Sequence, residues 1–292
     1  MTPTAEQTLL EEGIHHNVPF DVYAADPGLN FSKLKHMSVS PKHFEYELNA
    51  PDQDTPAMLL GRAIHHAILE PEIFESDYAK YPKEQYLRDY GGPNRSWSTK
   101  AYKENKAEWY LANADKFVLD DDQHHKAQAM AAAVHEHEVA SELLDATGMN
   151  ELSVIRMLGK HRTKARIDRL IDWDGYQRLI DIKSISAKQK DFHHKICNDE
   201  IMYRKYYLQM AWYIRVLQPE KITLPTWIFV QSEAPHDVVV ILMDEMTLDA
   251  CINEVNILFD RWKVCKASDE WPGVADIEIP VSLPDFLFQP QQ

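Results

Sequence analysis

Asp168, Asp181 and Lys183 are the residues of this chain whose types and spacing point most directly to chemistry. They lie in the stretch KARIDRLIDWDGYQRLIDIKS, Lys164 to Ser184. Apolar and polar residues alternate on either side of a turn signal at Trp173-Asp174-Gly175, which predicts two β-strands joined in a tight hairpin. A period of two puts Arg166, Asp168 and Leu170 on one face of the first strand, and Asp181 and Lys183 on one face of the second. Two carboxylates and a lysine can therefore converge. Clustered carboxylate oxygens are hard ligands suited to Mg²⁺ or Mn²⁺, and such an ion polarises a phosphodiester and acidifies a bound water. A lysine beside it orients that water or stabilises charge developing on the phosphate. A D-x-K in an amphipathic strand is also common in structural settings, so neighbouring residues must carry the reading further.

His65 is the next candidate. It lies in MLLGRAIHHAILE, Met58 to Glu70, where Leu60, Ile64, Ala67 and Ile68 recur at helical spacing. Gly61, one turn earlier, would let another element approach closely, which suits a histidine aimed into a metal site; a core or surface histidine is the plain alternative. Gln209 and Tyr213 stack one turn apart on a helix predicted over Asp199 to Leu217, with Arg204, Lys205 and Tyr206 beside them, although aromatic stripes of this kind are usually core. Arg95 next to Trp97 would either grip a nucleic-acid end by stacking or simply precede a helix. His124, His125, His135 and His137 sit on a helix predicted over Asp120 to Ala146. They form no HExxH box, because Val139 stands where the second histidine is needed, and are expected to face solvent.

The elements that must position these groups are punctuated clearly. Residues 1–30 lack periodicity and read as an arm or irregular cap. Asn30-Phe31-Ser32 precedes KLKHM and Ser40-Pro41 precedes KHFEYELN, each offering an N-cap hydroxyl to a short helix, the second with Pro41 at its first position. Glu72 to Asn94 reads as loop, and the stretch from Arg95 to Lys100 ends it and starts a helix. At Gly148 the period turns strand-like. Glu151 to Leu158, Arg162 to Ile171 and Gln177 to Ile185 are three strands of an antiparallel meander, and Glu151 would project to the carboxylate end. Thr226 to Gln231 and Val238 to Met243 read as buried strands, and Asp244 starts an amphipathic helix to about Lys266. The expected architecture is α+β with a helical N-terminal half. It would form one domain over 1–292, with an arm (1–30), a helical part (31–147), a strand-rich core (148–266) and a tail (267–292).

Composition sets the outer bounds. The 292 residues are 45% hydrophobic and 10% aromatic, enough for a packed core. No apolar run of about 18 residues and no leader occurs, so neither membrane insertion nor secretion is expected. Cys197, Cys251 and Cys265 are too scattered for a disulfide framework, a zinc site or an iron–sulfur cluster, which suits a reducing cytoplasm. Net charge is −15, yet residues 151–215 hold fourteen Lys or Arg against eight Asp or Glu, leaving −21 for the remainder. A basic island in an acidic protein would bind nucleic acid locally.

In this order the pieces resemble the RecB-like branch of the PD-(D/E)XK nuclease superfamily, and most closely the RecE-type exonuclease domain. The resemblance spans roughly residues 30–245. It rests on SKLKHMSVSPKHF, GRAIHH, Glu151, ARID ending at Asp168, DIK at Asp181 to Lys183, and QMAWY. It implies a mixed central sheet flanked by helices. It also implies a divalent ion (Mg²⁺, with Mn²⁺ as substitute) surrounded by His65, Asp168, Asp181 and the backbone carbonyl of Ile182. Lys183 would be the catalytic lysine, Glu151 an extra acidic residue near the metal, and Gln209 and Tyr213 a Q-x-x-x-Y motif lining the DNA path with Arg166 and Lys205. The third acidic position is Asp181 instead of the commoner Glu. Ser40-Pro41 replaces the Cys-Pro of the cluster-bearing subgroup, so no iron–sulfur cluster is expected. The chain has no Walker A motif, so no nucleotide is expected either.

The function implied is a Mg²⁺-dependent deoxyribonuclease, a processive 5′ to 3′ exonuclease on double-stranded DNA ends that leaves 3′ single strands for recombination, repair or annealing. A ring-shaped homo-oligomer, a tetramer, follows from the same resemblance, with a single-strand annealing protein as partner in a bacterial or phage-infected cell. Rival readings are an endonuclease or flap nuclease on the same fold, a catalytically idle DNA- or partner-binding module, and a hydrolase of small substrates. The last lacks a phosphate-cradling glycine loop.

Overall fold

A computed structural model describes residues 9–50, 55–186 and 192–277. In chain order the first elements are β1 (Gly13–His15), α1 (Phe20–Ala25), α2 (Phe31–Leu34) with a 3₁₀ turn at Lys35–Ser38, α3 (Pro41–Asn49) and α4 (Pro56–Leu69). A small lobe follows: α5 (Pro71–Asp77), β2 (Tyr78–Lys80), α6 (Lys83–Tyr90), α7 (Lys100–Ala112) and β3 (Phe117–Leu119). Then come α8 (Asp121–Glu136), α9 (Glu138–Asp145), β4 (Gly148–Leu158), β5 (His161–Trp173), β6 (Tyr176–Ile185), α10 (His194–Tyr203), α11 (Tyr206–Leu217), β7 (Thr223–Gln231), β8 (Val238–Leu242) and α12 (Glu245–Ser268).

The fold is α+β around a six-stranded sheet of order β1-β4-β5-β6-β7-β8, all antiparallel except β6–β7. The parallel pair needs a crossover, which α10 and α11 supply. The predicted meander is β4–β5–β6. Its second turn places Asp174 at φ 46° and Gly175 at φ 86°, the two left-handed residues that a tight hairpin requires. Helices cover both faces. On one, α2, α3, α10, α11 and α12 bury a core around Leu34, Leu152, Ile167, Trp212, Trp227 and Phe229. On the other, α4, α5, α8 and α9 pack on Ile171, Ile180, Ile182, Ile228 and Val230.

Several elements depart from expectation. Within the predicted arm, Gly13–His15 adds an edge strand to β4, a three-residue element too short to show a period, and α1 follows. Residues 1–8 and the tail from 278 lie outside the described residues, while Trp271 stacks on Phe44 at 5.2 Å. Glu72 to Asn94 is not a loop: it contains α5 and β2, whose Phe74 and Tyr78 join the core on the α4 side, and α6, held by a separate aromatic cluster, with β2 pairing parallel to β3. The alanine-rich helix is two helices, broken at His137, whose Nδ1 accepts from Ala140 N–H and caps α9. Nor do its histidines all face solvent. His124 is half-buried against Phe74, and His135 donates to Ile68 O at 3.1 Å. The helix predicted over Asp199 to Leu217 begins earlier and breaks at Lys205, which takes φ 58° with no glycine or proline to announce it. No element approaches Gly61, where a Cβ would meet nothing within 4 Å. Among the described residues no helix is long and apolar enough to cross a membrane.

Several cations of the basic island are turned inward. Lys164 is buried and donates to the carbonyls of Tyr23, Ala24 and Asp26, terminating α1. Arg169 donates to Leu143, Leu144 and Ala146 at the end of α9, and Arg156 to Val216 and Leu217 at the end of α11. Arg162 pairs with Asp26, and Arg215 donates to Asn256. Lys164, Arg169 and Arg156 thus meet the orphan carbonyls that helices leave at their C-termini, so their charge is spent inside the fold.

Candidate active site

The hairpin opens where its chemistry lies. The β5–β6 ladder runs from the turn to the pair Arg169↔Ile180, and beyond it the Asp168 carboxylate accepts the Ile182 N–H at 2.8 Å. A side chain thus replaces the next ladder bond. The β4–β5 ladder is also interrupted here: Asn150 faces Arg169 and Leu152 faces Ile167, but no pair forms between Glu151 and Asp168. Glu151 takes φ 50°, a costly conformation for a non-glycine residue in a strand. The interruption switches faces. Arg169 reaches α9, whereas Ile167 and Leu170 both pack in the opposite core. Arg166, Asp168 and Leu170 therefore do not share the single face that strict alternation predicts.

From the other side α4 contributes His65. Its Nε2 donates to Ile182 O at 2.9 Å, and its Nδ1 stands 3.4 Å from Asp168 Oδ2. Both polar groups at Ile182 are thereby occupied, the N–H by Asp168 and the carbonyl expected as a metal ligand by His65. Ligand atoms of His65, Glu151 and Asp168 all lie within 4.8 Å of one another. Asp181, expected as a ligand, is not in that set; it lies alongside on β6, with Oδ2 at 2.5 Å from Lys183 Nζ and Oδ1 without a hydrogen-bond partner among the described residues.

Around this centre α11 and the N-terminal segment form walls. Lys183 Nζ stands 4.8 Å from the centroid of the Tyr206 ring, and Gln209 Nε2 donates to Tyr213 OH at 2.6 Å. Tyr213 is buried near both Asp181 and Asp168. The αL kink at Lys205 starts α11 immediately before Tyr206, and the Lys205 side chain is half-buried with no partner among the described residues. Arg166 is engaged by Glu151 Oε2 at 2.7 Å, by Val18 O at 2.9 Å and by Ser153 Oγ at 3.3 Å. It supports Glu151 and does not project freely. Val18, Phe20 and Tyr23 were not foreseen here, because nothing in the first thirty residues marks them as reaching the site.

Electrostatics are dominated by burial. Burial pulls the His65 pKa below the usual imidazole value, so the ring is neutral, and with Nε2–H committed to Ile182 its Nδ1 lone pair faces Asp168. Burial raises Asp168 against the pull of Lys183 and the Ile182 N–H, and raises Glu151 with Asp168 adding to the effect and Arg166 opposing it. Asp181 is pushed up to about 6 by burial, with Asp168 adding and Lys183 opposing. The Lys183 ammonium is disfavoured by burial, but Asp181 and Asp168 more than offset that and raise its pKa. Two carboxylates thus share one ammonium, while Glu151 has Arg166.

These residues fit a divalent cation. His65 Nδ1 stands 3.4 Å from a carboxylate oxygen of Asp168, one buried carboxylate oxygen of Asp181 is orphaned, and the donors are hard oxygens plus one imidazole. A second His/Glu cluster, His36, His43 and Glu47, lies elsewhere, on α3 and the preceding turn.

Comparison with known proteins bears on the family and the fold. Residues 30–278 match the family model described as a PDDEXK-like domain of unknown function (DUF3799). A solved structure from Eubacterium rectale, named "Putative exonuclease", superposes with a TM-score of 0.54 at 13% identity, covering 87% of this chain and 91% of its own. At that identity the likeness shows a shared fold. The structure of SSO0001 aligns at 16% identity over 69% of this chain and 85% of its own, with a TM-score of 0.26, too low to support an argument. No curated protein matches the sequence.

Proposed function

The chain belongs to the PDDEXK-like family DUF3799, and from that membership and the site's geometry we propose that it is a divalent-metal-dependent deoxyribonuclease. The observation that carries the proposal is the convergence of Asp168, Asp181, Lys183 and His65 around Ile182, a buried group with one carboxylate more than its cations neutralise. A charge deficit of this kind costs stability without a cation and is retained where one works.

His65, Asp168, Asp181 and Glu151 would hold the ion, which when bound supplies charge neutralisation on a phosphate and a more acidic water. The Ile182 carbonyl becomes available if His65 turns its Nε2 away. Lys183 is a point charge that Tyr206 and Asp181 fix in place, suited to orienting the attacking water or meeting charge on the scissile phosphate. Tyr213, whose hydroxyl stays protonated because burial and then the two aspartates push its pKa well above the usual phenol value, can only donate or accept a hydrogen bond. Gln209 holds it.

Resemblance to RecE-type exonucleases is the ground for the finer proposal: 5′ to 3′ digestion from duplex ends, by a ring-shaped homo-oligomer that hands 3′ strands to an annealing partner. The test is digestion of linear and closed-circular duplex DNA with Mg²⁺, comparing wild type with Lys183→Ala and Asp168→Ala. Loss of linear DNA from its ends, sparing of circles, and a drop of at least about a hundredfold in either variant are expected. Cutting of circles would replace the exonuclease with an endonuclease, and binding without cutting under Mg²⁺ or Mn²⁺ would leave an idle module. Light scattering on the wild type tests the assembly, for which a mass of one chain would remove the ring.

A further inference from the structure

A second feature suited to a nucleic-acid strand lies in the small lobe between α5 and β3. A cavity of about 480 Å³ is lined there by Tyr81, Lys83, Trp97, Tyr102, Lys103 and Lys106. Three of these residues are lysines and none is acidic, in a chain that carries 46 acidic against 31 basic residues. The side chains of Lys83 and Lys103 have no partner among the described residues. Lys106 Nζ stands 5.5 Å from the Tyr81 ring centroid and 5.6 Å from that of Tyr110. Tyr81 and Tyr102 are buried and form the floor, whereas Trp97 is 68% exposed.

That exposure does not come from a loose loop. Ser96 N–H donates to Gly91 O at 2.8 Å, Thr99 Oγ1 donates to Tyr90 O at 2.7 Å, and the hydroxyls of Ser96 and Ser98 lie 2.7 Å apart. At Gly91 any Cβ would fall 2.3 Å from Leu87 O and 2.9 Å from Arg95 Cα, so the turn closes only on glycine. The fold therefore spends a tight turn, a threonine cap and a glycine to hold an indole in water beside three ammonium groups. An exposed, pre-positioned aromatic face next to unpaired cations fits a partner that offers a bare π-face and regularly spaced anions together. An unpaired nucleotide strand offers both. Duplex DNA hides its base faces by stacking, and free phosphate has no use for the indole.

We propose that this cavity binds an unpaired segment of DNA strand, with one base stacked on Trp97 and its phosphates at Lys83, Lys103 and Lys106. The choice of DNA rests on the nuclease reading above; the cations and the indole stand apart from it. The lobe adjoins the site's own helix, since Phe117 of β3 lies under the guanidinium of Arg62, 5.4 Å away and three residues before His65.

The test is anisotropy of a fluorescein-labelled dT oligonucleotide with the full chain in EDTA over a range of salt. Its affinity should fall about tenfold or more in Trp97→Ala, within the range of a lost base stack, and much less in Trp97→Phe. Lys83→Ala and Lys103→Ala should each flatten the salt dependence by about 0.7 in log–log slope, one phosphate contact apiece. Blunt duplex of equal length should compete weakly. The proposal is overturned if the wild type does not hold the oligonucleotide at low salt, if the variants bind as the wild type does, or if duplex competes equally. Digestion of linear duplex with Mg²⁺ on the same proteins separates the two readings. A wild type that binds through Trp97 but cuts nothing keeps the cavity and loses the nuclease, and one that cuts but ignores Trp97 does the reverse.

Discussion

Lys183 is held on two sides, by the Asp181 carboxylate and by the face of Tyr206, and the second contact can be removed without touching charge. Tyr206→Phe keeps a ring under the ammonium, while Tyr206→Ala frees it. A cation–π contact at a desolvated site contributes on the order of 1–2 kcal/mol, so if Lys183 acts in the chemical step, kcat on linear DNA should fall about five- to thirtyfold in the alanine variant. The phenylalanine variant should stay near wild type and KM should change little. Equal loss in both variants would assign the effect to the hydroxyl. Asp181 offers a second test, on stability. Its folded pKa of about 6 lies above the unfolded value of 3.8, so the folded state binds the proton more tightly. That contribution is fully present below about pH 4 and is lost as pH rises through 6. With EDTA present, wild-type stability relative to Asp181→Asn should therefore fall between pH 4 and 6.5, and thermal melts across that window measure it. A flat difference would mean that the carboxyl titrates normally.

At the scale of elements, internal cations tie helix ends to the sheet. Arg169 alone serves Leu143, Leu144 and Ala146, with Asn150 Oδ1 at 2.5 Å on its remaining side. Arg169→Met keeps much of the volume and orphans three carbonyls at the end of α9, which should cost about 2–4 kcal/mol, read as a lower midpoint in urea with an unchanged m-value. The same residue shows where sequence reading stops. The hairpin was readable because alternation and Asp174-Gly175 are local signals, and two helix starts because Ser40 and Asp244 cap within three residues; at α2 the cap is the Asn30 side chain, not a hydroxyl. Arg169 and Lys164 read as surface charge, since nothing local says that a helix terminus folds back onto them. The breaks at His137 and Lys205 carry no glycine or proline, and the Lys205 break is what starts the helix bearing Tyr206, Gln209 and Tyr213 at the site. Asp168, Asp181, Lys183 and His65 were singled out through an ordered set of motifs, whereas the Arg166–Glu151 pair depends on how two neighbouring strands register, and the support of Val18 on a contact more than a hundred residues apart.

For the whole molecule, the site lies where both layers meet the sheet: His65 from α4 on one side, α11 on the other, and β4, β5 and β6 between. An ion bound there would tie together elements that otherwise crowd carboxylates against each other, so loading it should stabilise the entire chain and not the site alone. At Mn²⁺ a hundredfold above its dissociation constant the gain is about 2.7 kcal/mol, which in a chain of this size raises the melting temperature by roughly 2–4 °C per kcal/mol. The metal-free protein carries the opposite burden, so Asp168→Asn should melt higher than wild type in EDTA and gain little from Mn²⁺. The two melting curves would then cross over as Mn²⁺ is added, an outcome that needs no DNA and no turnover. A wild type whose melting point ignores Mn²⁺, with Asp168→Asn destabilised in EDTA, would mean that Asp168 serves the strand junction through Ile182 N–H and that the cluster holds no cation.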